Sequence, residues 1–430
     1  MAQRSIREID GKKMLSRLWD QFFPESLKLE YRGVLIDDTS DLNKIESENS
    51  WLCDSNLVAK PDMLFGKRGK NGLVYFKNKK PGDVNWTDVK KWIKDKSSKS
   101  TTLLSGQNGL LSHFIVEPFN PHSTEYYLSF NLGDKYDEIF FSLQGGINIE
   151  ENWDTVLTIK LDESITSEEA HKVIKEELQK FTGTEKFDSF VCGAYDFFWN
   201  MQYTYLEFNP FVLENDKIIL LDLVAKVDDT AHFLKGHLWG ELDFPAPFGR
   251  SLTKEESYIK SIDENSGSSL KLTVLNQKGK IWTLVAGGGA SVVYADTIAD
   301  MGHSDELATY GEYSGNPSME ETCEYAKTLF DLMTRDDKKG KILIIGGAIA
   351  NFTDVAKTFK GIISAMNVYS KKLKKSEVEV YVRRGGPNYK TGLKNLNAAG
   401  KRIGLKISVF GPETHMTDIV RMALENQEVK

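Results

Sequence analysis

Apolar and polar positions change rhythm part-way along the chain. Up to about residue 245, short strand-like runs mix with helical ones, and the clearest runs lie in YTYLEFNPFVLENDKIILLDLVAKVD, residues 203–228. Two apolar stretches there flank Glu214-Asn215-Asp216-Lys217, a turn composition, so the segment predicts a β-hairpin of about five residues per strand. The following GELDFPAPFGR holds Pro245 and Pro247, which break regular structure and place a domain seam near residue 246. Beyond it the pattern becomes strand, turn, helix. Ile281 to Ala286 is followed by a helix from Ala290, Ile342 to Ile345 by one from about Asn351, and Val378 to Val382 by one near Thr391. Such repetition predicts an open, mainly parallel α/β sheet. The expected domains are residues 1–245 and 246–430.

Composition narrows the class. With 40% hydrophobic and 11% aromatic residues the chain has the make-up of a packed globular protein. Its net charge of −7 provides no global positive field for nucleic acid or a membrane surface, so an anionic substrate needs a local basic site. Two lysine-rich stretches, Lys77 to Lys80 and Lys371 to Lys375, read as solvated loops. Cys53, Cys192 and Cys323 are scattered and in no CxxC pairing, which argues against a disulfide framework or a zinc cluster and for a reducing compartment. The charged N-terminus lacks the apolar core of a signal peptide, and the expected location is cytoplasmic.

Two common nucleotide folds are excluded or weakened. No Gly-Lys pair is followed by Ser or Thr, so there is no Walker A loop. Gly287-Gly288-Gly289-Ala290-Ser291 follows a strand and opens a helix, but Val292 stands where a dinucleotide fingerprint needs Gly or Ala.

Three constellations suggest a different nucleotide site. Glu207-Phe208-Asn209-Pro210 lies across the hairpin from Leu221-Asp222-Leu223, so an amide oxygen and a carboxylate can approach one another and hold a hard cation. Mg²⁺ bridging nucleotide phosphates suits that pair; a turn and a strand-end acid would look the same. Lys60 at a strand end is followed by Gly66-Lys67-Arg68-Gly69-Lys70-Asn71-Gly72, whose backbone N–H groups and mobile cations suit triphosphate cover, as they also suit a plain basic loop. The strand in Phe114-Ile115-Val116-Glu117-Pro118-Phe119-Asn120-Pro121 breaks at two prolines, freeing backbone groups for an adenine edge. A bland loop has the same composition.

In this order the three pieces resemble the ATP-grasp fold and, more closely, the ATP citrate lyase family, relatives of succinyl-CoA synthetase. The match is carried by VAKPDMLFGKRGKNGL, FIVEPFNPHSTEYY, TYLEFNPFV with LDLVAKVD, FPAPFGR, LKLTVLNQKGKIWTLVAGGGASVVYADTIADMG, YGEYSGNPS, KILIIGGAIANFTDVAKTFKGI, VRRGGPNY and VFGPETHMT, from about Asn56 to the C-terminus. The resemblance implies an ATP-grasp domain of two α+β subdomains followed by a flavodoxin-like, citrate-binding α/β domain related to CoA ligases. It implies phosphate contacts from Lys60, Arg68 and Gly69, adenine contacts from Pro118 and Asn120, and a ribose contact from Glu125. Asn209 and Asp222 would hold Mg²⁺. Citrate would meet Gly315, Asn351, Thr353, Tyr369 and Arg384. Asp263, Ser266 and Ser268 would ligate a second cation, and the helix at Gly287 to Ser291 would point its N-terminus at a phosphohistidine.

Physical chemistry supports part of that placement. A Gly346-Gly347 turn opening a helix would present N–H groups and a positive dipole end to a carboxylate, and Arg384 would add a bidentate fork. Tyr369 conflicts with Thr353: on one straight helix the two stand about 24 Å apart at 1.5 Å per residue, too far for one citrate.

The family's phosphorylated histidine sits in a GHAGA-type motif, and none of the seven histidines here has that context. No stretch corresponds to a CoA-binding or citrate-synthase-like module. The resemblance therefore implies a succinyl-CoA-synthetase-α-like and citrate-synthase-like partner subunit that supplies the histidine and binds most of the CoA. With it, citrate, ATP and CoA would give acetyl-CoA, oxaloacetate, ADP and phosphate. The alternatives are the small subunit of a citryl-CoA synthetase or the β subunit of another acid-CoA ligase.

Overall fold

The computed structural model describes residues 3–76, 83–146, 149–162, 164–250 and 252–428, which leaves Lys77 to Lys80 outside the described residues. The chain forms two compact units, Met1–Ser251 and Leu252–Lys430.

In the first unit an eight-stranded sheet runs in the order Gln3–Ile6, Leu223–Asp228, Tyr203–Glu214, Tyr126–Asn131, Tyr136–Ser142, Leu157–Asp162, with Lys217–Leu220 and Lys28–Leu29 continuing from the long strand. The hairpin is there, tighter than its composition suggested. Only Asn215 and Asp216, both at positive φ, form the turn between Glu214 and Lys217. Helices Glu8–Phe22, Ser167–Thr182 and Asp188–Asn200 share one apolar core with this sheet, and Trp19 stacks on Phe23 at 3.7 Å. A smaller antiparallel sheet, Val34–Ile36, Phe114–Pro118 and Leu57–Pro61, packs with helix Trp86–Ser97 around a second core. Phe248 belongs to that core, 3% exposed and 4.8 Å from the Phe65 ring. Its packing keeps the chain in the first unit five residues beyond the seam placed near residue 246.

In the second unit four strands, Ile281–Ala286, Ile342–Gly347, Glu379–Arg383 and Lys406–Phe410, form an all-parallel sheet in chain order. Ile342–Gly347 is buried along its whole length, as a strand covered on both faces must be. Helices Met319–Met333, Val355–Lys375 and Tyr389–Ile403 contribute to one apolar cluster against it, while Gly288–Asp300 and Asp418–Glu428 contribute to the other. Each fully buried Leu, Ile or Val stabilises the fold by about 1.5–3 kcal/mol. Lys371 to Lys375 end a helix rather than forming a loop; cations there complement the negative end of the helix dipole.

Candidate functional site

The N-terminal helix carries a charged pair into the first unit's interior. Glu8 and Lys12 lie on the same face as Leu15 and Trp19, and Lys12 is completely buried. Lys12 Nζ donates to Glu117 at 2.8 and 3.0 Å and lies 2.6 Å from Glu8. Lys60, at the end of its strand, donates to Glu8 at 2.7 Å and to the Leu221 carbonyl at 2.6 Å. Arg68 stands 2.7 Å from Glu8, donates to the Pro61 carbonyl at 2.9 Å, and contacts Asp222 directly with its other Nη. Burial alone would push the Glu8 carboxyl up, but Arg68, Lys12 and Lys60 outweigh it and hold the group well below the usual carboxylate range.

Arg68 is thus a correction to the picture of a mobile basic loop. Its guanidinium is 7% exposed and anchored inward, while Lys67 and Lys70 stay at the surface. Gly69 lies in the same loop, where its carbonyl accepts from Gly72 N at 3.0 Å. Glu8, Lys12 and Glu117 were not singled out from sequence. The signal was present: a Glu/Lys pair spaced i, i+4 on the apolar stripe of an amphipathic helix.

Asn209 and Asp222 are brought together at the base of the hairpin, Asn209 N donating to the Asp222 carbonyl at 3.3 Å. Asn209 Oδ1 also accepts from Gly146 N at 2.8 Å, and Lys60 Nζ lies 3.9 Å from the Asp222 carboxylate. Glu207 sits two residues before Asn209, its carboxylate bonded by Tyr205 and, at 3.4 Å, by Tyr127; burial raises its pKa. Pro118 ends the Phe114–Pro118 strand and Asn120 lies two residues beyond it, its Nδ2 donating to the Pro118 carbonyl at 3.1 Å. His122 bridges Asn120 O at 2.7 Å and Glu125 at 2.9 Å, and the Glu125 carboxylate holds its pKa above the ordinary value.

In the second unit Arg384 lies just past the end of its strand, 4% exposed. One Nη donates to the Ala348 carbonyl at 2.5 Å, Nε has no partner, and no described carboxylate pairs with it. Burial disfavours its charge, pulling the pKa below that of a free arginine. Tyr313, 1% exposed, also has an unpartnered hydroxyl, and Tyr294 lies beside Gly347, its hydroxyl accepting from Gly347 N at 3.4 Å. Neighbouring Arg383 is spent on structure, donating to the carbonyls of Gly347, Pro412 and Thr414.

The glycine pair does not open a helix as expected. Helix Val355–Lys375 starts eight residues after Gly347 and its N-cap is Asp354, which accepts from Lys357 N at 3.0 Å and Asn388 Nδ2 at 2.9 Å. A carboxylate already occupies that dipole end. Gly346 and Gly347 serve close approach: a Cβ on Gly346 would lie 2.5 Å from the Tyr294 ring, and one on Gly347 2.5 Å from Arg384 Nη1. Asn351 and Thr353 lie in the loop between. Ala350 N donates to Gly385 O at 2.9 Å, and Asn316 Oδ1, next to Gly315, accepts from Asp354 N at 3.4 Å. Gly315, Asn351, Thr353 and Arg384 therefore belong to loops pinned to one another.

Tyr369 does not join them. It lies fourteen residues along the helix from Val355, about 21 Å at 1.5 Å rise per residue, and its hydroxyl donates to Asp331 at 3.5 Å in a shallow surface cleft. Asp263, Ser266 and Ser268 share one turn, with Ser266 N donating to the Asp263 carbonyl at 3.1 Å. Asp263 accepts from Leu270 N at 2.7 Å, while the two serines bond each other and Ser268 donates to Glu321 at 3.5 Å. Among the described residues no group of three or more His, Cys, Asp and Glu is placed to hold a metal. Helix Gly288–Asp300 begins two residues before Ala290, without a side-chain cap at Gly287. Gly289 is open, whereas a Cβ on Gly288 would lie 3.3 Å from the Glu312 carboxylate; the Ser291 hydroxyl turns back to the Gly288 carbonyl at 2.7 Å.

Comparison with known proteins gives this geometry a family. Residues 2–239 match the model for the ATP-citrate synthase ATP-grasp domain, and residues 250–426 that for ATP citrate lyase citrate-binding. The chain is 43% identical over 428 residues to ATP-citrate synthase alpha chain protein 3 of Arabidopsis thaliana, covering 99% of this chain and 98% of that one. It is 44% identical over 439 residues to ATP-citrate synthase of Homo sapiens, spanning 38% of that longer protein. A solved structure of ATP citrate lyase from Methanothrix soehngenii, in complex with citrate and coenzyme A, matches with a TM-score of 0.85 and 44% identity over 99% of this chain and 100% of that one. The chain belongs to the ATP-citrate synthase (ATP citrate lyase) family, as its ATP-grasp and citrate-binding parts.

Proposed function

We propose that the chain is the nucleotide- and citrate-binding subunit of a cytoplasmic ATP citrate lyase, working with a partner subunit that carries the phosphohistidine, most of the CoA site and the citrate-synthase-like cleavage module. The relative in Arabidopsis is named an alpha chain, and the human relative is more than twice as long; both fit a division of one enzyme between two chains.

The observation that carries the citrate reading is Arg384. A buried guanidinium without a carboxylate partner is costly unless an anion completes it. A citrate carboxylate at the carboxyl ends of the parallel strands would do so, with Gly315, Asn351 and Thr353 lining the same loops. This replaces the helix dipole, which Asp354 already caps.

In the first unit Lys60, Arg68 and the backbone at Gly69 meet the phosphates of ATP, the backbone at Pro118 and Asn120 meets adenine, and Glu125 accepts from the ribose. Asn209 and Asp222 fit Mg²⁺, since they supply hard oxygens and that ion keeps its remaining positions for phosphate and water. Bound there it would neutralise charge on the transferring phosphoryl group. Arg68 then leaves Asp222 for phosphate.

In the overall reaction the γ-phosphoryl of ATP passes to an imidazole of the partner, and ADP leaves. A citrate carboxylate takes the phosphoryl, the CoA thiol displaces phosphate, and the partner cleaves citryl-CoA to acetyl-CoA and oxaloacetate. The open N-terminus of helix Gly288–Asp300 offers this chain's dipole to the phosphohistidine. Calorimetric titration of the purified chain tests the reading: one citrate and one Mg-ATP should bind per chain. Absence of citrate binding would overturn it.

A further inference from the structure

We propose that Glu8 is a positioning residue of the nucleotide site, a single carboxylate that sets the spacing of Lys60 and Arg68. The inference rests on the reading of those two cations as phosphate contacts. They arrive from different places, one at the end of strand Leu57–Pro61 and the other in the loop that follows. Arg68 Nη1 bonds back to the Pro61 carbonyl at 2.9 Å, which ties its loop to the Lys60 strand end, and Glu8 sets the two charged groups against one carboxylate: Oε1 lies 2.7 Å from Lys60 Nζ and Oε2 2.7 Å from Arg68 Nη1.

The carboxylate is itself well held. Asp62, directly after the Lys60 strand, accepts from Glu8 N at 2.8 Å and from Ile9 N at 3.1 Å, and Arg7 donates to the Asp62 carbonyl at 2.7 Å. The start of the N-terminal helix is thereby tied to the strand end that carries Lys60. Lys12 steadies Glu8 from within the helix at 2.6 Å.

The two grips differ. Lys60 makes a directional hydrogen bond to Oε1, whereas Oε2 accepts none and meets Arg68 by charge alone. Lys60 is hydrogen-bonded to Glu8, whereas Arg68 spends its hydrogen bonds on the Pro61 carbonyl and Asp222. Without the Glu8 charge, Arg68 would be held by Asp222, which it already touches, while Lys60 would be shared between Glu117 at 3.8 Å and Asp222 at 3.9 Å. Buried ion clusters are weak sources of stability, because desolvation offsets most of the attraction. Orienting two cations before phosphate arrives is a role that such a cluster serves better, since the ordering is complete before binding.

The test compares Mg-ATP with adenosine, which lacks phosphates, as calorimetric probes of the purified full-length chain. Glu8→Gln keeps the shape and removes the charge. It should weaken Mg-ATP by about 10- to 100-fold, the usual effect of losing bonds to charged groups, and leave adenosine and citrate unchanged. Glu8→Asp keeps the charge but is one methylene too short to reach both cations; it should show a smaller loss confined to Mg-ATP and serves if the Gln variant does not fold. Unchanged Mg-ATP affinity, or equal losses for Mg-ATP and adenosine, would overturn the positioning role. Lys60→Met and Arg68→Met measured alongside separate the two claims: if neither weakens Mg-ATP, the phosphate-site reading falls whatever Glu8 does.

Discussion

Arg384 and Asp222 show how differently two site residues stand before a ligand arrives. Arg384 is buried without an anion, so on the proposed reading its truncation removes one side of the charge pair that citrate would complete. Arg384→Ala should weaken citrate by about 2–5 kcal/mol and hardly change Mg-ATP, as two calorimetric titrations would show. Equal losses for both ligands would mean a structural role. Asp222 already has a cation in Arg68. Asp222→Asn keeps its size, so the thermal melt should stay near wild type while Mg-dependent phosphorylation of the partner falls. Wild-type rates at every Mg²⁺ concentration would remove Asp222 from the site. Sequence reached both residues because VRRGGPNY and LDLVAKVD are distinctive runs. It did not reveal that Arg383 would be consumed by three carbonyls and Arg384 left with a single carbonyl and an unpartnered Nε, because that depends on which loops return to the strand end. Nor did it reveal the Glu8 and Glu117 carboxylates, whose partners lie 52 and 105 residues away along the chain.

At the scale of elements, helix starts were the least legible feature. Asn351, Thr353 and Asp354 are all capable N-caps within four residues, and the choice of Asp354 turns on a tertiary bond from Asn388. Three of the four parallel strands were legible to within a residue or two, because unbroken apolar runs have few alternatives, whereas Lys406–Phe410, which alternates with polar positions, was not read as a strand. One consequence of the long helix Val355–Lys375 is that Tyr369→Phe should leave citrate affinity within about twofold of wild type, a change below 0.5 kcal/mol. A larger loss would reinstate Tyr369 at the site.

The N-terminal helix also carries a pH signature. Burial, reinforced by Asp62, raises the Asp10 pKa from 3.8 to about 6. Its protonated form suits the fold, so its contribution is complete below about pH 4 and is lost as pH rises through 6. Glu8 behaves oppositely: its depressed pKa gives stability at neutral pH that is lost on acidification below its unfolded value. Asp10→Asn should therefore leave the melting temperature unchanged at pH 4 and raise it at pH 8, by at most about 3 kcal/mol of stability. A destabilised variant at pH 8 would refute this account of Asp10.

For the molecule as a whole, the two units were legible as two patterns, mixed runs before the prolines and strand-turn-helix units after them. Their boundary shifted because Phe248 packs back into the first unit, a tertiary contact with no local signal. The central claim is that this chain holds nucleotide and citrate while the covalent relay needs a partner's imidazole. Incubating the purified chain with γ-labelled ATP, Mg²⁺, citrate and CoA, with and without a succinyl-CoA-synthetase-α-like partner from the same organism, tests it directly. Acid-labile label should appear on the partner only, and acetyl-CoA only in the mixture. Citrate-dependent acetyl-CoA formation by the isolated chain would contradict the account.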